Sequence, residues 1–165
     1  MKISETIQSA INQQIAHELN ASYLYLAMSG WFDTTVYSGF SKWMLMQSNE
    51  ERDHAMRFFN YLNDRNGTVE LQAIDKPVTS FGNPLAAFKL ALESEEKNTR
   101  SIHQLYDMAN SEKDYATKHF LSWFLQEQVE EEKAAQDWVD RLEIAGEHVN
   151  ALMRLDAQAG QRTGD

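Results

Sequence analysis

The chain has 165 residues, no cysteine, and a net charge of −10 from 25 acidic and 15 basic residues. Without cysteine there are no disulfide scaffolds, no cysteine-ligated zinc or iron sites and no thiol catalysis. The acidic balance argues against a nucleic-acid partner, because the chain would repel phosphate. An apolar fraction of 42% with four tryptophans suits a folded core, and the length suits one domain, 1–165. The longest apolar run, Tyr23 to Met28, is far short of the ~20 residues needed to span a membrane. The N-terminal stretch carries Glu5 and no apolar block, so no secretory signal is read there and the expected location is cytoplasmic.

Four long segments have the apolar spacing of helices. The first is expected over about 4–33, with Gly30 the one glycine inside a helical pattern. A short turn containing Gly39 follows, and a second helix over 39–65 starts after Ser38 as N-cap and stops at Gly67. Residues 67–83 hold Pro77, next to Pro84 at the boundary, and read as a connection. The third helix, 84–110, is announced by Asn83 as N-cap and Pro84 at the first helical position. The fourth, 112–145, has Ser111 or Asp114 as its cap and Gly146 at its end. A shorter fifth helix is expected over 148–157, then a tail with Gly160 and Gly164. No segment alternates with period two, so the fold class is all-α.

Short joints make the first pair and the last pair of long helices antiparallel. The 67–83 connection can extend roughly 55 Å, against about 40 Å for a 27-residue helix. It can therefore run the length of a bundle and leave the second and third helices parallel. The expected architecture is a four-helix bundle with one long crossover.

The inward stripes carry charge where a core should be apolar. The first helix gives Ile7, Ile11, Ile15, Glu18, Ser22, Tyr25 and Phe32. The second gives Phe40, Met44, Gln47, Glu51, His54, Phe58 and Leu62. The third gives Leu85, Phe88, Leu92, Glu95, Thr99, Ile102 and Leu105. The fourth gives Phe120, Phe124, Glu127, Glu131, Ala134, Trp138 and Leu142. Each helix thus brings carboxylate to mid-length, and the stripes hold no Lys or Arg at those levels. Any one of these residues alone has an ordinary explanation: Glu18 or Glu95 a boundary carboxylate, His54 a satisfied core histidine, Tyr25 packing, Glu130-Glu131-Glu132 a solvated face. Their coincidence across four helices is different. Unpartnered buried carboxylates are costly and repel one another, and a multivalent cation resolves both problems.

Glu51 and His54 form Glu-x-x-His, one turn apart on one helix face; His17, His103, His119 and His148 have no Glu three residues earlier. Glu127, Glu130 and Glu131 stand at i, i+3 and i+4. Such an oxygen-rich set with one imidazole favours iron or manganese, with magnesium or calcium as other hard ions.

The sequence closely resembles the non-haem bacterial ferritins over about 3–160. The resemblance is carried by Glu18-Leu-Asn-Ala-Ser-Tyr-Leu-Tyr25, by Glu50-Glu51-Arg-Asp-His54, and by the stretch from Phe120 through Trp123, Glu127-Gln128 and Glu130-Glu131-Glu132 to Lys133. It implies a ferritin-like di-iron bundle, with the short fifth helix at the C-terminal side. Glu18, Glu51 and His54 would hold the first iron of a ferroxidase centre. Glu51 would bridge to a second iron held by Glu95 and Glu131, with Gln128 beside it. Glu50, Glu127 and Glu130, sharing Glu131, would form a third iron site. Tyr25 would lie next to the centre and supply an electron or a hydrogen bond. Arg52 occupies the position of the haem-binding methionine of bacterioferritins, and Glu130 that of their second histidine, so no haem is expected. Rubrerythrins carry a cysteine-rich iron domain, which is absent here.

The resemblance implies oxidation of Fe(II) by O2 or H2O2 and storage of Fe(III) as mineral in a homo-oligomeric shell of twenty-four subunits. Two other classes fit the same bundle. A di-metal oxidase, oxygenase or manganese catalase would use a substrate pocket and usually a second histidine. A non-catalytic iron buffer would need only the acids.

Overall fold

The computed structural model describes residues 2–163; Gly164 and the outer limits of the expected domain, 1 and 165, lie outside them. Five helices follow one another: α1 (Glu5–Phe32), α2 (Ser38–Asp64), α3 (Pro84–Ser111), α4 (Tyr115–Ala145) and α5 (Val149–Ala159). No strand occurs among the described residues, and no helix is long and apolar enough to cross a membrane.

The helix starts follow local chemistry at three points. Ser4 Oγ accepts from the Ile7 N–H at 3.2 Å, and Asn83 Oδ1 accepts from the Ala86 N–H at 2.9 Å ahead of Pro84. Of the two candidate caps for α4, Asp114 acts: its Oδ1 accepts from the Thr117 N–H at 3.0 Å. The helix therefore begins at Tyr115 rather than 112. Residues 112–114 form a turn in which Lys113 takes a positive φ of 57°.

The start of α2 departs from expectation. Ser38 is the first helical residue and not the cap, and Tyr37 before it makes no side-chain cap bond. The orphan amide of Phe40 instead donates to Asp156 Oδ1 of α5 at 2.8 Å. A carboxylate 116 residues away thus meets the positive end of the α2 dipole. Gly39, expected in a turn, lies inside the first turn of α2. A β-carbon there would stand 1.8 Å from the Asp156 carbonyl oxygen, so only glycine lets α5 pack this closely. At the other end of α2 the residue with positive φ is Asn66 (54°), not Gly67. Gly67 N–H then donates to the Leu62 carbonyl at 2.9 Å, and a β-carbon on Gly67 would run into the Leu62 side chain.

Cross-helix contacts fix the topology. Ser22 Oγ donates to the Ser48 carbonyl and Ser29 faces Ser41, so α1 and α2 are antiparallel. Gln14 meets Asn98 and Phe32 meets Phe88, so α1 and α3 are also antiparallel. Hence α2 and α3 run parallel, as the long crossover requires. Arg65 at the end of α2 pairs with Asp114 at the start of α4 at 2.9 Å, while Gln47 reaches Glu131 further along. The crossover is pinned to α1: Asn12 bonds the backbone of Thr68 and Glu70, Gln8 takes the Thr68 N–H, and Asn20 takes the Asp75 N–H.

The apolar core is in two blocks. One gathers Met28, Phe32, Phe40, Trp43, Phe88 and Trp138. The other gathers Ile7, Ile11, Phe58, Leu62, Ile102 and Phe124. Between them lies a buried polar layer drawn from all four long helices: Gln14, Glu18, Gln47, Glu51, His54, Glu95, Asn98, Gln128 and Glu131.

Two glycines give opposite expectations. Gly39→Ala should lower stability by about 1–3 kcal/mol through overpacking against α5. Gly30→Ala, with nothing within 4 Å of the new β-carbon, should raise it by up to about 1 kcal/mol. Thermal unfolding of both variants beside the parent protein checks the pair.

Candidate metal centre

Glu18 enters the polar layer from α1 with no exposed surface. Both of its oxygens are held: Oε1 accepts from Gln14 Nε2 at 2.8 Å and Oε2 from Asn98 Nδ2 at 3.0 Å. Gln14 is itself fixed, donating to Asn98 Oδ1 at 2.6 Å and accepting from Ser101 Oγ at 2.6 Å. The carboxylate is thereby aimed before any ion arrives.

Glu51, fully buried on α2, is the opposite case. Neither of its carboxylate oxygens has a hydrogen-bond partner, and neither does Nδ1 of His54. His54 Nδ1 lies 3.6 Å from Glu51 Oε2 and 3.8 Å from Glu18 Oε2, too far for hydrogen bonds. One ligand atom from each of Glu18, Glu51 and His54 falls within 4.8 Å of the others. That spread fits one ion with bonds of about 2–2.5 Å. Buried atoms of α2 without hydrogen-bond partners, converging with a carboxylate from α1, are what a cation would satisfy.

Glu95 and Glu131 continue the layer. Glu95 Oε1 accepts from the Tyr25 hydroxyl, and Gln128 Nε2 reaches its Oε2 at 3.5 Å and the Thr99 hydroxyl at 3.1 Å. Glu131 Oε2 accepts from Gln47 Nε2 at 2.8 Å. A second group of possible ligand atoms, again within 4.8 Å, joins His54 to Glu127 and Glu131.

Burial dominates the electrostatics. Desolvation first, then the charges of Glu95 and Glu18, push the Glu51 carboxyl well above the ordinary range. Desolvation and the neighbouring Glu131 raise Glu95 to about 8, against the lowering effect of the Tyr25 hydroxyl. Desolvation raises Glu131 to about 7, with Gln47 opposing. Burial and the surrounding carboxylates also hold the Tyr25 hydroxyl in its neutral form, its pKa raised well above 10. Without an ion, this layer keeps protons to limit its own charge.

Glu18, Tyr25, Glu51, His54, Glu95, Gln128 and Glu131 are all buried in the layer. Glu127 is half-buried, and Gln128, not Glu127, is the residue of that turn facing the core. Glu50 is half-buried and lines, with His54, Glu127, Asp53, Arg57 and Trp123, a cleft of about 300 Å³ leading to the histidine. Glu130 is exposed and belongs to neither group of converging ligand atoms.

No motif in the sequence marks the amides Gln14 and Asn98. Their signal is spacing: Gln14 lies one turn before Glu18 and Asn98 one turn after Glu95. Trp123 sets its edge near the His54 ring, centroids 5.4 Å apart, and carries the Arg57 guanidinium 3.8 Å from its own centroid. No short-range pattern announces that stack.

A ferritin-like domain family model matches residues 8–145. A bacterial non-heme ferritin of Staphylococcus aureus (strain USA300) is 38% identical over 163 residues, covering 99% of this chain and 98% of the relative. One from Bacteroides fragilis (strain 638R) is 42% identical over 160 residues, 97% and 99% of the two chains. The crystal structure of an open pore ferritin from the hyperthermophilic archaeon Archaeoglobus fulgidus superposes with a TM-score of 0.97 at 44% identity, covering 98% of this chain and 100% of that one. With the carboxylate–histidine layer in the bundle's middle and relatives matched nearly end to end, the chain belongs to the ferritin family, among the bacterial non-haem ferritins.

Proposed function

We propose that the protein stores iron and is a ferroxidase, taking Fe(II) as substrate, oxidising it with O2 or H2O2 and holding Fe(III) as mineral inside an oligomeric shell. The observation that carries this reading is Glu51: a fully buried carboxylate with both oxygens unpartnered. In this reading Glu18, Glu51 and His54 hold one iron. Glu51 bridges to a second, completed by Glu95 and Glu131, with Gln128 alongside. Two ferrous ions held side by side deliver two electrons to one oxidant molecule. Glu50, Glu127, Glu130 and the shared Glu131 form a third, outer position.

The chain's own groups divide the remaining work. Gln14 and Asn98 keep Glu18 aimed. The Glu51 carboxylate, which no amide or hydroxyl holds, is the one placed to serve both ions. Tyr25 donates to Glu95 and steadies the charge that appears there once the carboxyl ionises. Because Glu51, Glu95 and Glu131 are protonated more readily than ordinary carboxyls, uptake of cations expels protons.

A shell of twenty-four copies in the cytoplasm is the assembly that fits this role. Exposed apolar side chains on one flank of the chain support burial against other copies: Tyr23 and Leu26 of α1, beside Val78 of the crossover.

Adding Fe(II) aerobically to purified protein should give a fast ferric absorbance phase that consumes about two irons per subunit. Glu51→Ala and His54→Ala should each slow that phase by about 10- to 100-fold. Parent-like rates in both variants would remove the proposed centre.

The raised carboxyl pKa values also set a pH dependence. Glu95 and Glu131 are shifted upward in the fold, to about 8 and about 7. Their contribution is therefore complete below the ordinary carboxyl range of about 4.3 and is lost as pH rises through the folded values. The metal-free protein should melt several degrees lower at pH 8.5 than at pH 6, and Glu95→Gln should flatten that slope. Scanning calorimetry over the pH series reads both outcomes.

A further inference from the structure

The segment that follows α5 carries a cation to the outer edge of the metal centre. Arg162 Nη2 stands 2.6 Å from Glu50 Oε2, with both side chains only about a quarter exposed, at 24% and 27%. The same guanidinium lies 4.9 Å from the centroid of the Trp43 ring, and its Nη1 is buried without a hydrogen-bond partner. The backbone leading to it is anchored on α2. Lys42 Nζ donates to the Gly160 carbonyl at 2.8 Å, and Asp156 takes the Phe40 amide.

Glu50 shares the cleft with Glu127 and His54, and Glu127 converges with His54 and Glu131. The positive charge of Arg162 also acts on Glu131, opposing the rise that Glu50 and Glu127 cause there. One guanidinium therefore offsets the repulsion within the outer carboxylate group. A divalent ion would meet the same need with stronger, shorter bonds, and the Glu50 oxygen cannot serve both fully.

We propose that Arg162 is the resident counter-cation of the outer carboxylates Glu50, Glu127 and Glu131, and that a divalent ion entering there displaces it. Filling the outer position then frees the segment after α5 from α2. The inference rests on the metal-centre reading above. It adds a competitor built into the chain, which weakens outer binding and couples it to the docking of α5.

Calorimetric titration of the assembled, metal-free protein with Zn(II) tests this without iron chemistry. The outer binding event is the one lost in Glu127→Gln. In Arg162→Ala that event should tighten by about fivefold or more, the upper range for a partly exposed ion pair. Arg162→Lys, which keeps the charge but not the planar fork, should fall between. Binding at Glu18, Glu51 and His54 should not move. As a second readout, trypsin cleavage after Arg162, followed by mass spectrometry, should accelerate when the outer position fills and not before. Equal outer affinity in all three proteins, or cleavage indifferent to zinc, would overturn the proposal. So would inner binding with no outer event in any variant, although the centre itself would then stand. Failure of the parent protein to bind zinc anywhere would overturn the metal-centre reading and this inference with it.

Discussion

Burying several carboxylates at one level of a helical bundle is the constraint around which the rest of this protein is arranged. Two apolar blocks, centred on Phe40 and Trp138 at one end and on Phe58 and Ile102 at the other, stabilise the fold. Between them the chain places Glu18, Glu51, Glu95 and Glu131 out of water. Desolvation outweighs every other influence on the three of these whose carboxyls are raised. The layer is thus poised between two ways of limiting its charge, by holding protons or by holding cations. The long helices and the crossover provide enough packing elsewhere for the fold to carry this unfavourable layer.

The carboxylates are not equivalent, and their differences come from neutral neighbours. Glu18 sits in a bracket of amides whose further bonds run through Ser101, so both of its oxygens have donors. Glu95 and Glu131 each keep one strong donor, from Tyr25 and Gln47. Glu51 has none. The set therefore grades from a ligand with donors on both oxygens to one with no neutral donor within a single layer. Amides and a phenol achieve this without adding charge, which a lysine or arginine at the same level would do at the expense of cation affinity.

Much of this was legible in the sequence because it depends on helical spacing. Glu51 and His54 are one turn apart, so any helix through them presents both on one face. Glu18 and Glu95 fall in register with isoleucine and phenylalanine stripes. The fourth helix was less legible. Adjacent residues are rotated by about 100°, and with Glu127, Gln128, Glu130 and Glu131 all polar, hydropathy does not distinguish Gln128 from Glu127 as the inward residue. Contacts between distant parts of the chain left no local signal. Asp156 against Phe40, Gly39 beneath α5, and Arg162 at Glu50 join residues more than a hundred positions apart. Gly39 read as punctuation because a close approach and a turn call for the same residue.

The capping of α2 by Asp156 has a consequence for how the chain matures. During vectorial synthesis α2 leaves the ribosome long before the residue that completes its first turn. Until α5 emerges, the Phe40 amide has only solvent to bind, and that end of the helix frays. Consolidation of the α1–α2 hairpin at this end therefore waits on a residue translated 116 positions after the amide it binds, which makes α5 a clasp on the start of α2.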